Sequence, residues 1–327
     1  MQPCPYASAV TRFGRLLISA AAVALAATAC SQPVEETIEQ SIEEINGATT
    51  TLLEDTAPLQ VEAAPAEPAE VPSETETVTP DDEPANDVPA SEVPPEVVTY
   101  EAVVVDTYPH DTTSFTQGLE FVDGLLLEST GLVGQSSIRI VEPETGETLI
   151  SKPIDSIFGE GATVVDDEVW QLTWQDEVLI VHDLDDLSEV RRVSYEGDGW
   201  GLCDAGEYLI MTDGSSDLTI RDRESFEVLD RRAVTLDDIP VDALNELECV
   251  EGRVWANIWT SNIVVEIDPA TGNVVGRVDL TALVPQSTLE DPNQVLNGIA
   301  FNDETGRFWL TGKQWPVMYE LELNPLS

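Results

Sequence analysis

Nine side chains occupy matching places in a repeated pattern along this 327-residue chain, and together they could do chemistry. They are Phe115, Gln117, Phe158, Glu160, Trp174, Trp200, Asn245, Trp259 and Lys313. Trp174 and Trp259 end strand-like runs and the others fall just before or just after one, so all are expected at one structural level, facing one cavity. A carboxylate at Glu160 can take up a proton and return it. An ammonium at Lys313 and amides at Gln117 and Asn245 can hold a developing oxyanion. The aromatic residues can wall a binding site. Glu246 and Asn297 fall at the same level, so the pattern by itself leaves open which of these groups acts and which only binds.

Other residues compete for attention. Glu128, in Glu-Ser-Thr-Gly, lies near the end of a strand-like run at the level of Trp174 and Trp259. An acid followed by Ser and Thr is more often a hydrogen-bonding element than a proton shuttle. His110, in the Tyr-Pro-His-Asp turn, is read as structural for the same reason. Asp111, Asp213 and Asp217 lie in turns, but in no dedicated ion-binding loop. The chain has only two histidines, His110 and His182, and no Cys-x-x-Cys. A zinc site of His and Cys is therefore not expected, nor any cofactor.

The elements that must position these residues repeat. Units begin near Gly118, Gly161, Gly201, Glu246 and Gly298. The second reads GATVV, DEVWQLTW, VLIVHDL, SEVRRVSY; the fourth reads ELECVEG, RVWANIW, NIVVEIDP, NVVGRVDL. Short runs of β-branched and aromatic residues alternate with Gly, Asp, Asn and Pro, as strands and turns do. Four strands per unit at intervals of roughly 40–50 residues indicate propeller blades. The expected fold is all-β, a five-bladed β-propeller of four-stranded blades. The fifth unit lacks one strand, and a surplus strand, Glu101–Asp106, precedes the first. Added to the last blade, it would close the ring and remove an exposed edge. In this register Cys203 and Cys249 fall at equivalent places on neighbouring inner strands, where a disulfide is possible.

The remainder of the chain reads differently. Residues 1–30 look like an export signal, with Arg12 and Arg15 ahead of an apolar run from Leu16 to Ala29. That run is short for a membrane span. It ends Ala-Thr-Ala-Cys30, which resembles a bacterial lipobox, so Cys30 is the expected lipidation site. Residues 31–99 are rich in Pro, Ala and Glu, contain eighteen acidic residues and lack Lys and Arg. Such a segment cannot bury enough apolar surface to fold, and is read as a disordered tether. The domain, 100–327, holds 45 acidic and 12 basic residues, a net of −33. That balance argues against nucleic acid and against docking on anionic lipid. An exported monomer is expected on the outer face of the membrane, touching it only through the anchor, or secreted if Cys30 is unmodified.

The phrases YPHDTTSFTQGL, ESTGLVGQSSIR, FGEGAT, QLTW, GWGL, MTDGSS, LNELECV, WANIW, LNGIAF and TGKQWP occur in order through all five units. In these the chain resembles the plant and bacterial glutaminyl-peptide cyclotransferases (glutamine cyclotransferases), over essentially all of residues 101–323. The resemblance implies a five-bladed propeller that converts N-terminal glutamine of peptides or proteins to pyroglutamate. It assigns the catalytic carboxylate to Glu160, pocket polarity to Gln117, Asn245 and Lys313, and aromatic walls to Phe115, Phe158, Trp174, Trp200 and Trp259. The substrate's own amine attacks its side-chain amide, so the protein needs no nucleophile, and holding the folded conformer supplies much of the rate. The alternative is a non-catalytic envelope propeller that binds peptides or a protein partner.

Overall fold

The computed structural model describes residues 96–326. The export signal, Cys30 and the acidic stretch through residue 95 lie outside the described residues. The described chain is built of strands, with two short 3₁₀ turns, Thr281–Leu283 and Gln286–Thr288.

Strand β1 (Val98–Pro109) comes first and is longer than the sequence pattern indicates. It begins at Val98, two residues inside the segment read as tether. Next, β2 (Thr116–Val122), β3 (Leu125–Thr130), β4 (Ser137–Val141) and β5 (Thr148–Pro153) form an antiparallel sheet in that order. A second sheet follows from β6 (Gly159–Val165), β7 (Glu168–Thr173), β8 (Val178–Asp183) and β9 (Glu189–Ser194). A third comprises β10 (Leu202–Asp204), β11 (Tyr208–Met211), β12 (Asp217–Asp222) and β13 (Val228–Ala233). A small hairpin, β14 (Thr235–Leu236) and β15 (Ile239–Pro240), has no counterpart in the sequence pattern.

The remaining strands are β16 (Leu244–Val250), β17 (Arg253–Ile258), β18 (Ile263–Ile267), β19 (Val274–Asp279), β20 (Leu296–Asn302), β21 (Arg307–Gly312) and β22 (Val317–Pro325). They join β1 in one eight-stranded sheet, ordered β16-β17-β18-β19-β1-β22-β21-β20. Strand β1 runs antiparallel to β22 from Tyr100↔Pro325 to Pro109↔Val317, as the surplus strand was expected to do. Its first residues also pair in parallel with β19, Val98↔Gly276 through Tyr100↔Val278. The outer edge of β19 is thereby covered as well.

Strand β2 turns into β3 at Asp123-Gly124, both at positive φ (49° and 80°). That is the left-handed pair a two-residue hairpin of matching twist requires, and Gly adopts it without a Cβ clash. Inward from each edge, burial rises. Outer strands β5, β9 and β13 are largely exposed, whereas β2, β3, β6 and β7 are mostly buried. Apolar clusters fill the spaces between successive four-strand sets. One joins Trp170, Leu172 and Leu179 to Leu209, Met211 and Phe226; another joins Cys203, Ile210 and Leu218 to Leu247, Val254 and Val265. The innermost strands meet in cyclic order, β2 to β6 to β10 to β16 to β20 and back to β2. Cys203 on β10 and Cys249 on β16 form a disulfide.

Candidate functional site

The inner strands share a device that explains where the polar residues point. The ladder pairing β2 to β3 slips between Thr116 and Gly118, and that of β6 to β7 between Gly159 and Ala162. It slips again between Leu244 and Leu247 on β16, and between Leu296 and Ile299 on β20. Gln117, Glu160, Asn245 and Asn297 sit in these four bulges. A bulge lifts a residue out of the strict in-out alternation and re-aims its side chain. Four bulges at one level therefore gather polar side chains that a regular strand would disperse.

Close approach of the inner strands demands glycine at one of these bulges. A Cβ on Gly161 would lie 2.6 Å from the Trp200 carbonyl oxygen and 2.8 Å from the Gly201 Cα. That carbonyl instead accepts the Gly161 N–H at 2.7 Å. The glycine after Glu160 is thus what lets the second and third sheets meet behind the carboxylate.

One cavity of about 480 Å³ opens at this level. Its lining includes all nine side chains singled out in the sequence. The polar ones form a buried floor: Gln117 and Asn245 are each 2% exposed, Glu160 and Lys313 each 5%. The walls are aromatic and their outer members face solvent, with Trp174 40% and Trp259 45% exposed. Phe115 meets Phe158 edge-on at 6.1 Å, Phe158 meets Trp174 at 5.7 Å, and Trp200 meets Trp259 at 5.6 Å. These edge-to-face chains brace the walls in fixed orientations. Trp174 and Trp259 each follow their strand, β7 and β17, rather than ending it.

Electrostatics distinguish the floor residues. Burial pushes the Glu160 carboxyl well above the ordinary carboxylate range, opposed by the Lys313 charge and reinforced by Asp198. Burial likewise pulls Lys313 down to about 8, with Glu160 resisting. Lys313 Nζ lies 4.8 Å from the centre of the Phe115 ring, a cation–π contact. Gln117 Oε1 accepts a hydrogen bond from Asn297 Nδ2 at 3.3 Å, so its amide NH₂ is the end free to bind a ligand. The Glu160 main-chain carbonyl accepts from the Ser129 hydroxyl, and Ser129 Oγ accepts from Gln171 Nε2 at 2.7 Å, which fixes that bulge from behind.

The sequence reading missed Leu132, Asp291, Asn293 and Gln314, which complete the lining. Asp291 and Asn293 belong to the long link between β19 and β20, where Asp291 Oδ1 accepts from the Asn293 N–H at 2.9 Å. The available signal was spacing: the interval from Glu246 to Gly298 is the longest between units. Glu128 and His110 do not line the cavity; they pair with each other behind it, at 3.0 Å. Among the described residues, no group of three or more His, Cys, Asp or Glu is placed to hold a metal ion.

The chain is also similar to proteins of one known family. The family model described as glutamine cyclotransferase matches residues 79–323. A glutaminyl-peptide cyclotransferase from Arabidopsis thaliana is 37% identical over 230 residues, which is 68% of this chain and 72% of that protein. The crystal structure of Myxococcus xanthus glutaminyl cyclase superposes with a TM-score of 0.67 at 38% identity, over 71% of this chain and all of that one.

Proposed function

The chain belongs to the glutamine cyclotransferase family and is an enzyme of that kind, and on that premise we propose that its cavity converts the N-terminal glutamine of peptides and proteins to pyroglutamate. The observation that carries the reading is a single buried carboxylate and a single buried ammonium, Glu160 and Lys313, on the floor of one aromatic-walled cavity.

In this reading the substrate enters with its glutamine between the Phe and Trp walls. The neutral α-amine attacks the side-chain amide carbon, and a five-membered ring closes. No intermolecular encounter is needed once the bent conformer is held, so confinement by the walls contributes a large part of the rate. Negative charge develops on the amide oxygen, and Lys313, with Gln117 or Asn245, donates to it. Glu160 takes the proton released by the attacking nitrogen and delivers it to the departing nitrogen, which leaves as ammonia. A carboxylate raised by burial is suited to both halves of that transfer near neutral pH. Each proton taken is returned, so the mechanism requires no metal and leaves Glu160 ready for the next turnover.

The architecture belongs to the same proposal. Three four-stranded sheets, plus an eight-stranded sheet that divides at the β19–β1 pairing, are read as five blades. The cyclic contacts of the inner strands support this, and β1 completes the last blade. Export through residues 1–30, lipidation at Cys30, an acidic tether and a monomeric state complete the reading. A Cys30→Ser protein that stays in the membrane fraction would contradict the anchor.

The deciding experiment supplies the purified chain with a Gln-initiated dipeptide and follows ammonia. Release at least a hundredfold above that of Glu160→Gln is expected, on the order of what a positioned acid–base group supplies. Binding of the dipeptide without release would instead favour a non-catalytic peptide-binding propeller.

A further inference from the structure

Lys313 stands in a turn that a buried charged group holds from behind, and the proposed reaction does not use that group. The turn, Lys313-Gln314-Trp315-Pro316, links β21 to β22. The Trp315 carbonyl oxygen lies 2.7 Å from His110 Nδ1. The Pro316 carbonyl accepts the His110 main-chain N–H at 3.1 Å, and the Gln314 N–H donates to the Ser114 carbonyl at 2.6 Å. Every residue after Lys313 in the turn is therefore tied to the segment 110–114. That segment runs directly into β2, where Thr116 precedes Gln117.

The second ring nitrogen of His110, Nε2, lies 3.0 Å from Glu128 Oε1. Glu128 also receives the Thr116 hydroxyl at 2.8 Å and pairs with Arg139 Nε at 3.2 Å, so it is a carboxylate. His110 thus faces an acceptor with each nitrogen: a carbonyl on one side, a carboxylate on the other. A ring nitrogen that meets an acceptor must carry hydrogen, and a ring with two such nitrogens is an imidazolium. The neighbouring hydroxyls do not alter that count, because Thr116 gives its hydrogen to Glu128 and Thr311 gives its own to Val317 O at 2.8 Å. The charged side chains facing this pair are Arg139 from β4 and, through Arg139, Asp111 at 3.0 Å. Two cations and two anions balance, with His110, Glu128 and Arg139 all buried.

We propose that His110 is a positioning residue for Lys313 and Gln117: as an imidazolium clamped between Glu128 and the Trp315 carbonyl, it locks the turn that carries the ammonium against the strand that carries the amide. The role rests on the cyclisation reading above. A buried charged pair of this kind contributes geometry more than stability. When pH rises far enough to remove one ring proton, either Trp315 or Glu128 loses its donor and the clamp loosens, leaving the turn to its two main-chain hydrogen bonds. The alkaline limit of turnover then has two sources, His110 and Lys313.

The chain contains only two histidines, which makes the test direct. In the full chain labelled with ¹⁵N-histidine, one ring is expected to show both nitrogens protonated at neutral pH, and that signal is expected to vanish in His110→Gln. With a Gln-initiated dipeptide, folded His110→Gln is expected to lose about ten- to a hundredfold in kcat, as small misplacements of catalytic groups do. KM is expected to change by less than about threefold. Glu128→Gln is expected to lower both the ¹⁵N titration and the alkaline limb of kcat by about one pH unit or more. A neutral His110 at neutral pH in an active wild-type chain overturns the proposal, as does a folded His110→Gln with wild-type kcat. If His110→Gln does not fold, the wild-type spectrum and the Glu128→Gln limb decide. A wild-type chain that releases no ammonia overturns the activity itself, and the positioning role with it.

Discussion

The Lys313 ammonium lies over the Phe115 ring, 4.8 Å from its centre, on the same buried floor as Glu160. The ring face and the carboxylate favour the charge that burial opposes. The balance leaves Lys313 at about 8, close enough to neutrality for its protonation to govern turnover.

Turnover should therefore fall as pH rises through about 8, where Lys313 loses its proton. Lys313→Met should lower kcat/KM by about a hundredfold or more, the usual cost of removing an oxyanion donor. The same substitution should stabilise the fold. Between about 8 and the ordinary 10.5, the unfolded chain holds a proton that the folded chain has released, so stability rises with pH across that window. Below about 8 the penalty is present in full, and its removal is expected to gain on the order of 2 kcal/mol. A melt of Lys313→Met at pH 7 no higher than wild type would contradict this.

Glu160→Gln should abolish ammonia release while the chain stays folded. It should also remove the acid limb of the pH profile, which the raised carboxyl pKa places above the ordinary carboxylate range. Dipeptide affinity, measured by quenching of tryptophan fluorescence, should change little, because the aromatic walls are untouched. A variant that binds no dipeptide would show that Glu160 holds substrate rather than moving protons.

Carboxylates elsewhere along the inner strands make stability pH-dependent in a predictable direction. Glu246 accepts the Ile299 N–H at 2.8 Å and the Leu119 N–H at 3.2 Å, and burial holds it well above the usual range. Glu120, beside a small acidic cavity that also meets Asp204, Glu248 and Asp303, is pushed up to about 7. From the ordinary 4.5 to about 7, the folded chain keeps a proton that the unfolded chain has lost, so stability falls as pH rises. The melting temperature is expected to be higher near pH 5 than near pH 8, and Glu120→Gln should flatten that slope. Equal slopes in the two proteins would refute the assignment.

The Cys203–Cys249 bridge closes a loop over a sequence separation of 46. Its main effect is expected on the unfolded chain, whose freedom it restricts. Replacing both cysteines with serine should cost about 2–4 kcal/mol, read as a lower melting temperature. Turnover at 25 °C should be retained, since neither cysteine lines the cavity proposed to bind substrate. Loss of activity at a temperature where the double variant is folded would show that the bridge also shapes the site.

Some of this was determined by the sequence alone. Strand and turn residues recur at similar intervals because each four-stranded unit solves the same packing problem. Phe115, Glu160, Trp174, Trp259 and Lys313 stood out because the repeat puts equivalent positions at equivalent heights. Periodicity carries such information because it is local and repeated.

Only the tertiary structure decided what is neither. The bulges that turn Gln117, Glu160 and Asn245 into the cavity depend on how neighbouring inner strands press together, as Gly161 does against Trp200. Asp291 and Asn293 reach the lining from an irregular link that has no period to betray it. His110 and Glu128, conspicuous in the sequence as chemistry-bearing residues, are paired with each other behind the cavity, where His110 also meets the carbonyl of Trp315, some two hundred positions away. A residue's type declares which protons and charges it can handle. Whether it meets a substrate or a carbonyl from the far end of the chain is settled only when the ring of inner strands closes.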